Sequence, residues 1–228
     1  MTLLTPVRLA ASVSLALSLL AGCASAPPPD WQLASASALQ QGVDAYLSGL
    51  DKVASAEFAR GQREVRRTAE PDSVARAYLI ECAAYVAAAR AMDCADVPGL
   101  SDAHPPTQAY ARYLMGEATE QDRALLPQAQ QGVSGADAQA GAAALKGVGE
   151  SWARLVAAGV LWRRSQLSLE SVAMAVDTAA AQGWSRAVAS WLTVQKDMLV
   201  QTGDQDSAQR VQRRLDLMLG PTPASAPD

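Results

Sequence analysis

The chain has 228 residues, half of them hydrophobic, and it carries a formal net charge of −4 at pH 7. This length and apolar content suffice for one well-buried core, or for two closely packed halves. The acidic balance, with no basic cluster that contains aromatic residues, argues against a nucleic-acid partner.

The first 22 residues show the pattern of a removable secretory signal. Arg8 is the only charged side chain before Asp30, and residues 9–21 form an uncharged, mostly apolar run. As a helix, that run would be about 20 Å long, against a hydrocarbon core of about 30 Å. We therefore interpret it as the hydrophobic region of a signal peptide, not as a permanent membrane span.

The end of this signal resembles the bacterial lipobox, in which an aliphatic residue and two small residues precede a cysteine: Leu20, Ala21, Gly22 and Cys23. The resemblance implies cleavage before Cys23 and a lipid on its thiol, with three acyl chains, which is enough for stable anchoring. Ala24 replaces the aspartate that commonly retains lipoproteins at the inner membrane, which favours the outer membrane. The alternative is an ordinary secreted protein cut after Ala24 or Ala26.

Residues 23–30 then form a proline-rich tether, and residues 31–219 are predicted to form one all-α domain, an irregular antiparallel helical array. Abundant alanine favours helix, apolar residues recur at steps of three and four, and no strand alternation is evident. The predicted helices cover residues 31–49, 51–68, 71–90, 150–164, 168–182, 184–202 and 204–219. Two short helices are expected within 106–132, one weak helix within 132–149, and a disordered tail over 220–228.

A tetratricopeptide-like or α-solenoid arrangement of the C-terminal half is an alternative. Trp152 and Trp184 begin comparable helices 32 residues apart, close to the repeat period of about 34 residues.

The chain beyond the signal also resembles a group of proteobacterial lipoproteins without an established activity. The matching segments are "ARAYLIECAAYVAAARAMDC", "AYARYLMG", "ALLP", "RLVAAGVLWRR" and "AVDTAAAQGW".

Cys82 and Cys94 are predicted to form a disulfide, because lipidation uses Cys23 and the implied compartment is oxidising. In one straight helix their Cα atoms would be about 18 Å apart, and a disulfide needs about 6 Å. The helix must therefore end near Arg90 and the chain must reverse abruptly. The alternative is a buried free Cys82 and an exposed Cys94.

The chain offers few residues for catalysis or metal binding, and we assign no catalytic residue, no metal ligand and no cofactor apart from the lipid on Cys23. The single histidine, His104, lies in an irregular loop with Asp93, Cys94, Asp96 and Asp102, which is a weak metal set. Glu150 and Ser151 resemble the Glu-Ser pair of lytic transglycosylases, whose glutamate is a general acid. Glu150 also precedes a predicted helix, where acidic residues are favoured in any case.

One helix face carries Arg60, Arg63 and Arg67, which could contact lipid phosphates or an acidic partner. Alternatively, it is a solvated face paired locally with Glu57 and Glu64.

The sequence as a whole predicts a periplasm-facing lipoprotein of the outer membrane, attached to the membrane by its lipid. It would act as a helical adaptor or scaffold for a protein partner in the cell envelope. The alternative is an envelope enzyme acting on peptidoglycan or lipid through Glu150 or the His104 loop.

Overall fold

The computed structural model describes residues 28–220. The chain divides into two units, residues 1–30 and 31–228, and the helical fold belongs to the second. The lipobox, Cys23 and the tail beyond Gly220 lie outside the described residues, so the predictions made for them are not addressed by the fold.

The described part of the chain is entirely helical, as the sequence predicts. Between residues 28 and 220 there are eleven α-helices, one short 3-10 helix at Leu100–Asp102 and no strand. None of these helices is both long enough and apolar enough to cross a membrane. The α-helices are α1 (Asp30–Leu47), α2 (Asp51–Arg66), α3 (Pro71–Ala87), α4 (Pro105–Met115), α5 (Glu120–Arg123), α6 (Gln128–Ser134), α7 (Ala138–Lys146), α8 (Ser151–Arg163), α9 (Leu169–Ala181), α10 (Ser185–Gln201) and α11 (Gln205–Leu219).

The middle of the chain is more divided than predicted. Three helices, α4 to α6, replace the expected two, whereas α7 lies within residues 132–149, where one weak helix is predicted. The division follows from local capping. Thr119 and Asp122 form a reciprocal capping box at the start of α5, as their spacing predicts. The Asp137 carboxylate caps α7 by accepting the backbone N–H groups of Gln139 and Ala140.

Helix α3 lies at the centre of the fold and packs against α2, α4 and α8. The sequence predicts one apolar face formed by Val74, Tyr78, Cys82, Tyr85, Val86 and Ala89. Cys82 and Val86 of that set are fully buried, and Val74, Tyr85 and Ala89 are half-buried against the core. Small side chains are buried on other sides of the helix, including those of Ala75, Ala77, Ala83, Ala84 and Ala87. Small residues let neighbouring helices approach closely, so α3 is enclosed nearly all round.

The two ends of the helical domain contact each other. Arg186 at the start of α10 forms a salt bridge with Asp51 of α2 at 2.5 Å. Its guanidinium also lies 4.3 Å from the ring centroid of Tyr46 in α1. The Ser185 hydroxyl donates a hydrogen bond to the carbonyl of Ser48, between α1 and α2 (2.8 Å). These contacts attach the first helical hairpin to the C-terminal helices.

The structure does not confirm a tetratricopeptide-like solenoid. Helices α8 to α11 do pack in sequence order, each against the next. However, Trp152 is the second residue of α8, whereas Trp184 lies before the first residue of α10, at its N-cap. The two tryptophans therefore differ by two residues in their position relative to the start of the helix.

Candidate functional site

Cys82 and Cys94 are brought together in disulfide geometry. Their Cα atoms are 6.1 Å apart, and both residues are fully buried. Helix α3 ends at Ala87, and Ala89 adopts a left-handed conformation with φ of 50°. This reversal returns the chain along α3, as a bond between the two cysteines requires. Arg163 of α8 fixes the same loop by donating a hydrogen bond to the Met92 carbonyl (2.8 Å).

The arginine face of α2 is largely engaged by its own helix. The Arg60 guanidinium contacts the Glu57 carboxylate at 2.6 Å, and that of Arg67 contacts Glu64 at 2.7 Å. Arg63 is exposed and forms no salt bridge within residues 28–220. The local pairing leaves little free charge at Arg60 and Arg67 for an acidic ligand. This face is therefore a weak candidate for a binding surface.

His104 is placed against a carboxylate that the sequence did not single out. Its Nδ1 lies 3.4 Å from Oδ2 of the buried Asp72, at the start of α3. The same carboxylate accepts hydrogen bonds from the His104 backbone N–H (2.9 Å) and the Thr107 hydroxyl (2.7 Å). Arg76 forms a salt bridge with it at 2.9 Å. Asp72 therefore joins the first turns of α3 and α4.

The surroundings of Asp72 stabilise its charged form. Burial by itself raises the pKa of Asp72. The hydrogen bonds from Thr107 and His104 and the positive charge of Arg76 outweigh that effect and hold the pKa below its ordinary value. His104 is 68% exposed, and no serine or cysteine in the described residues forms a hydrogen bond with its ring. The Asp72–His104 pair thus connects two helices but has no nucleophile beside it.

The other residues considered for catalysis or metal binding are not gathered into a site. Glu150 is the N-cap of α8, where its carboxylate accepts the backbone N–H groups of Trp152 and Ala153 at 2.9 and 2.5 Å. It is exposed, not enclosed in the apolar cleft that a general acid with a raised pKa needs. Within residues 28–220 no three His, Cys, Asp or Glu side chains converge on a common metal position.

An apolar groove of about 450 Å³ lies between α3, α4 and the segment that links α5 to α6. Its volume falls within the range of about 300–1,000 Å³ that is usual for ligand pockets. The residues that line this groove are Arg76, Leu79, Ile80, Pro106, Thr107, Tyr110, Leu125, Leu126 and Pro127. None of them is a carboxylate, and Leu125 is 39% exposed to solvent. Such a surface can accommodate apolar side chains but offers no acid–base pair.

Polar contacts connect α4, which contributes to the apolar groove, to the neighbouring helices. The Tyr113 hydroxyl in α4 donates to Oε1 of Gln130 in α6, and the Gln130 amide donates to the Ala153 carbonyl of α8 (3.1 Å). Arg112 of α4 binds both carboxylate oxygens of Asp122, which fixes α5 beside it. These contacts fix α5 and α6, the two helices joined by the segment that lines the groove, relative to α4.

The sequence did not predict the apolar groove or the role of Asp72. The only hint was the segment "ALLP", which places two leucines beside a proline outside any long helix.

The chain matches no known protein family, no curated protein and no solved structure.

Proposed function

We propose that this protein is a lipid-anchored, periplasm-facing adaptor of the outer membrane that binds an apolar segment of an envelope protein in the apolar groove. Cys23 carries the anchor, and residues 24–29 separate the helical domain, which begins with α1 at Asp30, from the lipid surface. The groove is the single observation that carries the binding role. The lipobox pattern carries the location.

The chemistry of the groove supports binding in preference to catalysis. Leu79, Ile80 and Leu126 provide aliphatic walls, and the partly exposed Leu125 forms part of the rim. Inserting apolar side chains would remove this surface from water, at about 25 cal/mol for each Å² buried. Partner helices and extended peptides commonly present such side chains at regular spacing.

The buried cysteine pair supports an oxidising compartment. Disulfides persist in the periplasm and are rare in the cytosol. Cys82 and Cys94 have the geometry for one at the centre of the fold. This agrees with export through a signal peptide, and it does not depend on the lipobox.

The alternative is an envelope enzyme acting on peptidoglycan or lipid. The one observation in its favour is the contact between His104 and the buried carboxylate of Asp72. If this pair acted as a general base, His104→Gln would abolish the hydrolysis of peptidoglycan or lipid without destabilising the fold.

The adaptor role is tested by site-specific photo-crosslinking in intact cells. A photoreactive amino acid replaces Leu125 in the apolar groove. As a matched control, it replaces Leu217 of α11, an apolar residue that lies outside the groove and is 82% exposed. We expect one discrete adduct from position 125 and none from position 217. The adduct should disappear when Ile80→Asp is added, provided that the variant still folds by circular dichroism. Equal labelling from both positions, or none from position 125, would contradict the proposal.

A further inference from the structure

A second and larger groove, the polar groove, lies beside the C-terminal ends of α3 and α8 and along α10. Its volume is about 660 Å³, and it shares no lining residue with the apolar groove. Its lining is divided between apolar and polar groups. Trp162, Leu167, Val194 and Met198 are apolar, whereas Arg90 and Asp197 are charged.

Two residues in an unusual backbone conformation line this groove. Ala89 and Ser165 have φ angles of 50° and 56°, and within residues 28–220 only Ala69 shares a positive φ among non-glycine residues. Both residues follow the last turn of a helix, where the left-handed conformation commonly ends the helix and reverses the chain. Each turn directs the chain after a helix into the wall of the groove, so both shape the concavity.

The charges in the polar groove are free to meet a ligand. Arg90 follows α3, and Asp197 is in α10, so the two come from different elements. Both are exposed, and neither takes part in a salt bridge or side-chain hydrogen bond within the described range. One unengaged guanidinium and one unengaged carboxylate therefore line a single concavity.

We propose that the polar groove binds a short peptide with free ends and apolar side chains. The peptide carboxylate lies against Arg90, whose planar guanidinium binds carboxylates through two hydrogen bonds. The ammonium group lies against Asp197. An apolar side chain packs on Trp162 and Met198, and the hydroxyl groups of Ser190 and Thr193 are available to the peptide backbone. This site is independent of the apolar groove and of the adaptor role.

The chemistry favours such a zwitterion over an anion or a neutral sugar. An anionic lipid headgroup or a phosphate would be repelled by Asp197, since like charges disfavour the bound state. A neutral sugar would gain little binding free energy from the separate charges of Arg90 and Asp197. A zwitterion satisfies both charges at once, and its apolar side chain uses the tryptophan wall.

The test is isothermal titration calorimetry on protein purified after expression of the full-length chain. The probe is the dipeptide Leu-Leu, compared with N-acetyl-Leu-Leu and with Leu-Leu-amide, each of which lacks one of the two charges. We expect saturable binding of Leu-Leu and a loss of about two- to fivefold for each blocked form, since an ion pair at an exposed position contributes about 0.2–1 kcal/mol. Arg90→Gln should remove the preference for a free carboxylate, and Asp197→Asn the preference for a free ammonium.

The control variant is Arg213→Gln, an exposed arginine of α11 outside the groove, which should bind Leu-Leu as the unmodified protein does. Unchanged urea denaturation midpoints will show that Arg90→Gln and Asp197→Asn remain folded. Equal binding of blocked and free dipeptides would overturn the proposal. So would the absence of any heat of binding for Leu-Leu up to about 1 mM.

Discussion

Gly159 of α8 lies directly against the carbonyl oxygen of Val86 in α3. A Cβ atom at position 159 would overlap that oxygen and also crowd the Val86 side chain. The close approach allows α8 to cover α3 along a surface of alanines and to bury Leu155 and Leu161 completely. The packing of the two central helices therefore depends on the absence of a side chain at one position.

We predict that Gly159→Ala destabilises the fold by about 3 kcal/mol or more, because the overlapping atom belongs to the backbone and cannot move aside as a flexible side chain would. The matched control is Gly132→Ala in α6, where nothing lies within 4 Å of the added Cβ. That change should stabilise the protein by up to about 1 kcal/mol, since alanine favours helix. Urea denaturation measures both, and equal effects would show that the contact is unimportant.

We predict that Cys82 and Cys94 are oxidised to a disulfide in the periplasm. Protein from the periplasm, unfolded and alkylated without reduction, should show neither thiol modified in peptide mass mapping. A bond between residues 12 apart in sequence should contribute about 3 kcal/mol, so reduction should lower the urea midpoint. If both cysteines were alkylated without reduction, they would be free thiols in the cell.

The Arg112–Asp122 pair should give the protein a dependence on acid pH. Hydrogen bonds from Arg112 hold the pKa of Asp122 well below its usual range, with further bonds from Thr119. Because the folded pKa is the lower one, this stability is fully present above the unfolded value of about 3.9 and is lost as pH falls below it. The Arg112 side chain is 39% exposed, so solvent weakens the pair.

Asp122→Asn should accordingly cost about 1.5–3 kcal/mol at neutral pH and distinctly less at pH of about 2.5, where the native carboxyl loses its advantage. Urea denaturation at both pH values provides the measurement. The control is Asp206→Asn in the exposed first turn of α11, expected to change stability by less than about 0.5 kcal/mol. A cost for Asp122→Asn that did not depend on pH would contradict the assigned role of the ionised carboxylate.

Strain at Ala89 leads to a further prediction. Glycine adopts a φ of 50° without steric cost, so Ala89→Gly should stabilise the folded protein by up to about 1 kcal/mol. The comparison is Ala143→Gly at an exposed position in α7, which should destabilise it by about 1 kcal/mol. Thermal denaturation of the two variants should show shifts of opposite sign. Destabilisation by both would mean that Ala89 is not strained.

The long helices could be predicted from the sequence because their boundaries are marked locally. Pro71 begins α3, Ser168 caps α9, and Asp204 caps α11. The starts of α5 and α7 are capped locally, but groups that are distant in sequence also fix the short helices. The Gln166 side chain accepts the first backbone N–H of α7, and Arg123 lies where a side chain at position 135 would be. Neither partner is close in sequence to the element that it stabilises.

Both grooves and the position of Asp72 were beyond sequence reasoning for the same physical reason. Asp72 meets His104 and Thr107 across 32 and 35 residues, and no periodicity within one helix encodes a contact between two helix ends. The cysteine pair could be predicted because a covalent bond limits geometry strongly. The lipobox at Cys23 stays a prediction, since it lies outside the described residues.

The central claim, a lipid anchor at Cys23, is tested most directly by metabolic labelling with an alkyne palmitate in a bacterial host that expresses the full-length chain. We expect the label to appear on the protein and the protein to fractionate with the outer membrane. Cys23→Ser should remove the label and leave the precursor uncleaved, whereas Cys82→Ser should keep the label. Unlabelled protein, or a Cys23→Ser variant that still matures to the same size and fractionates with membranes, would contradict the account.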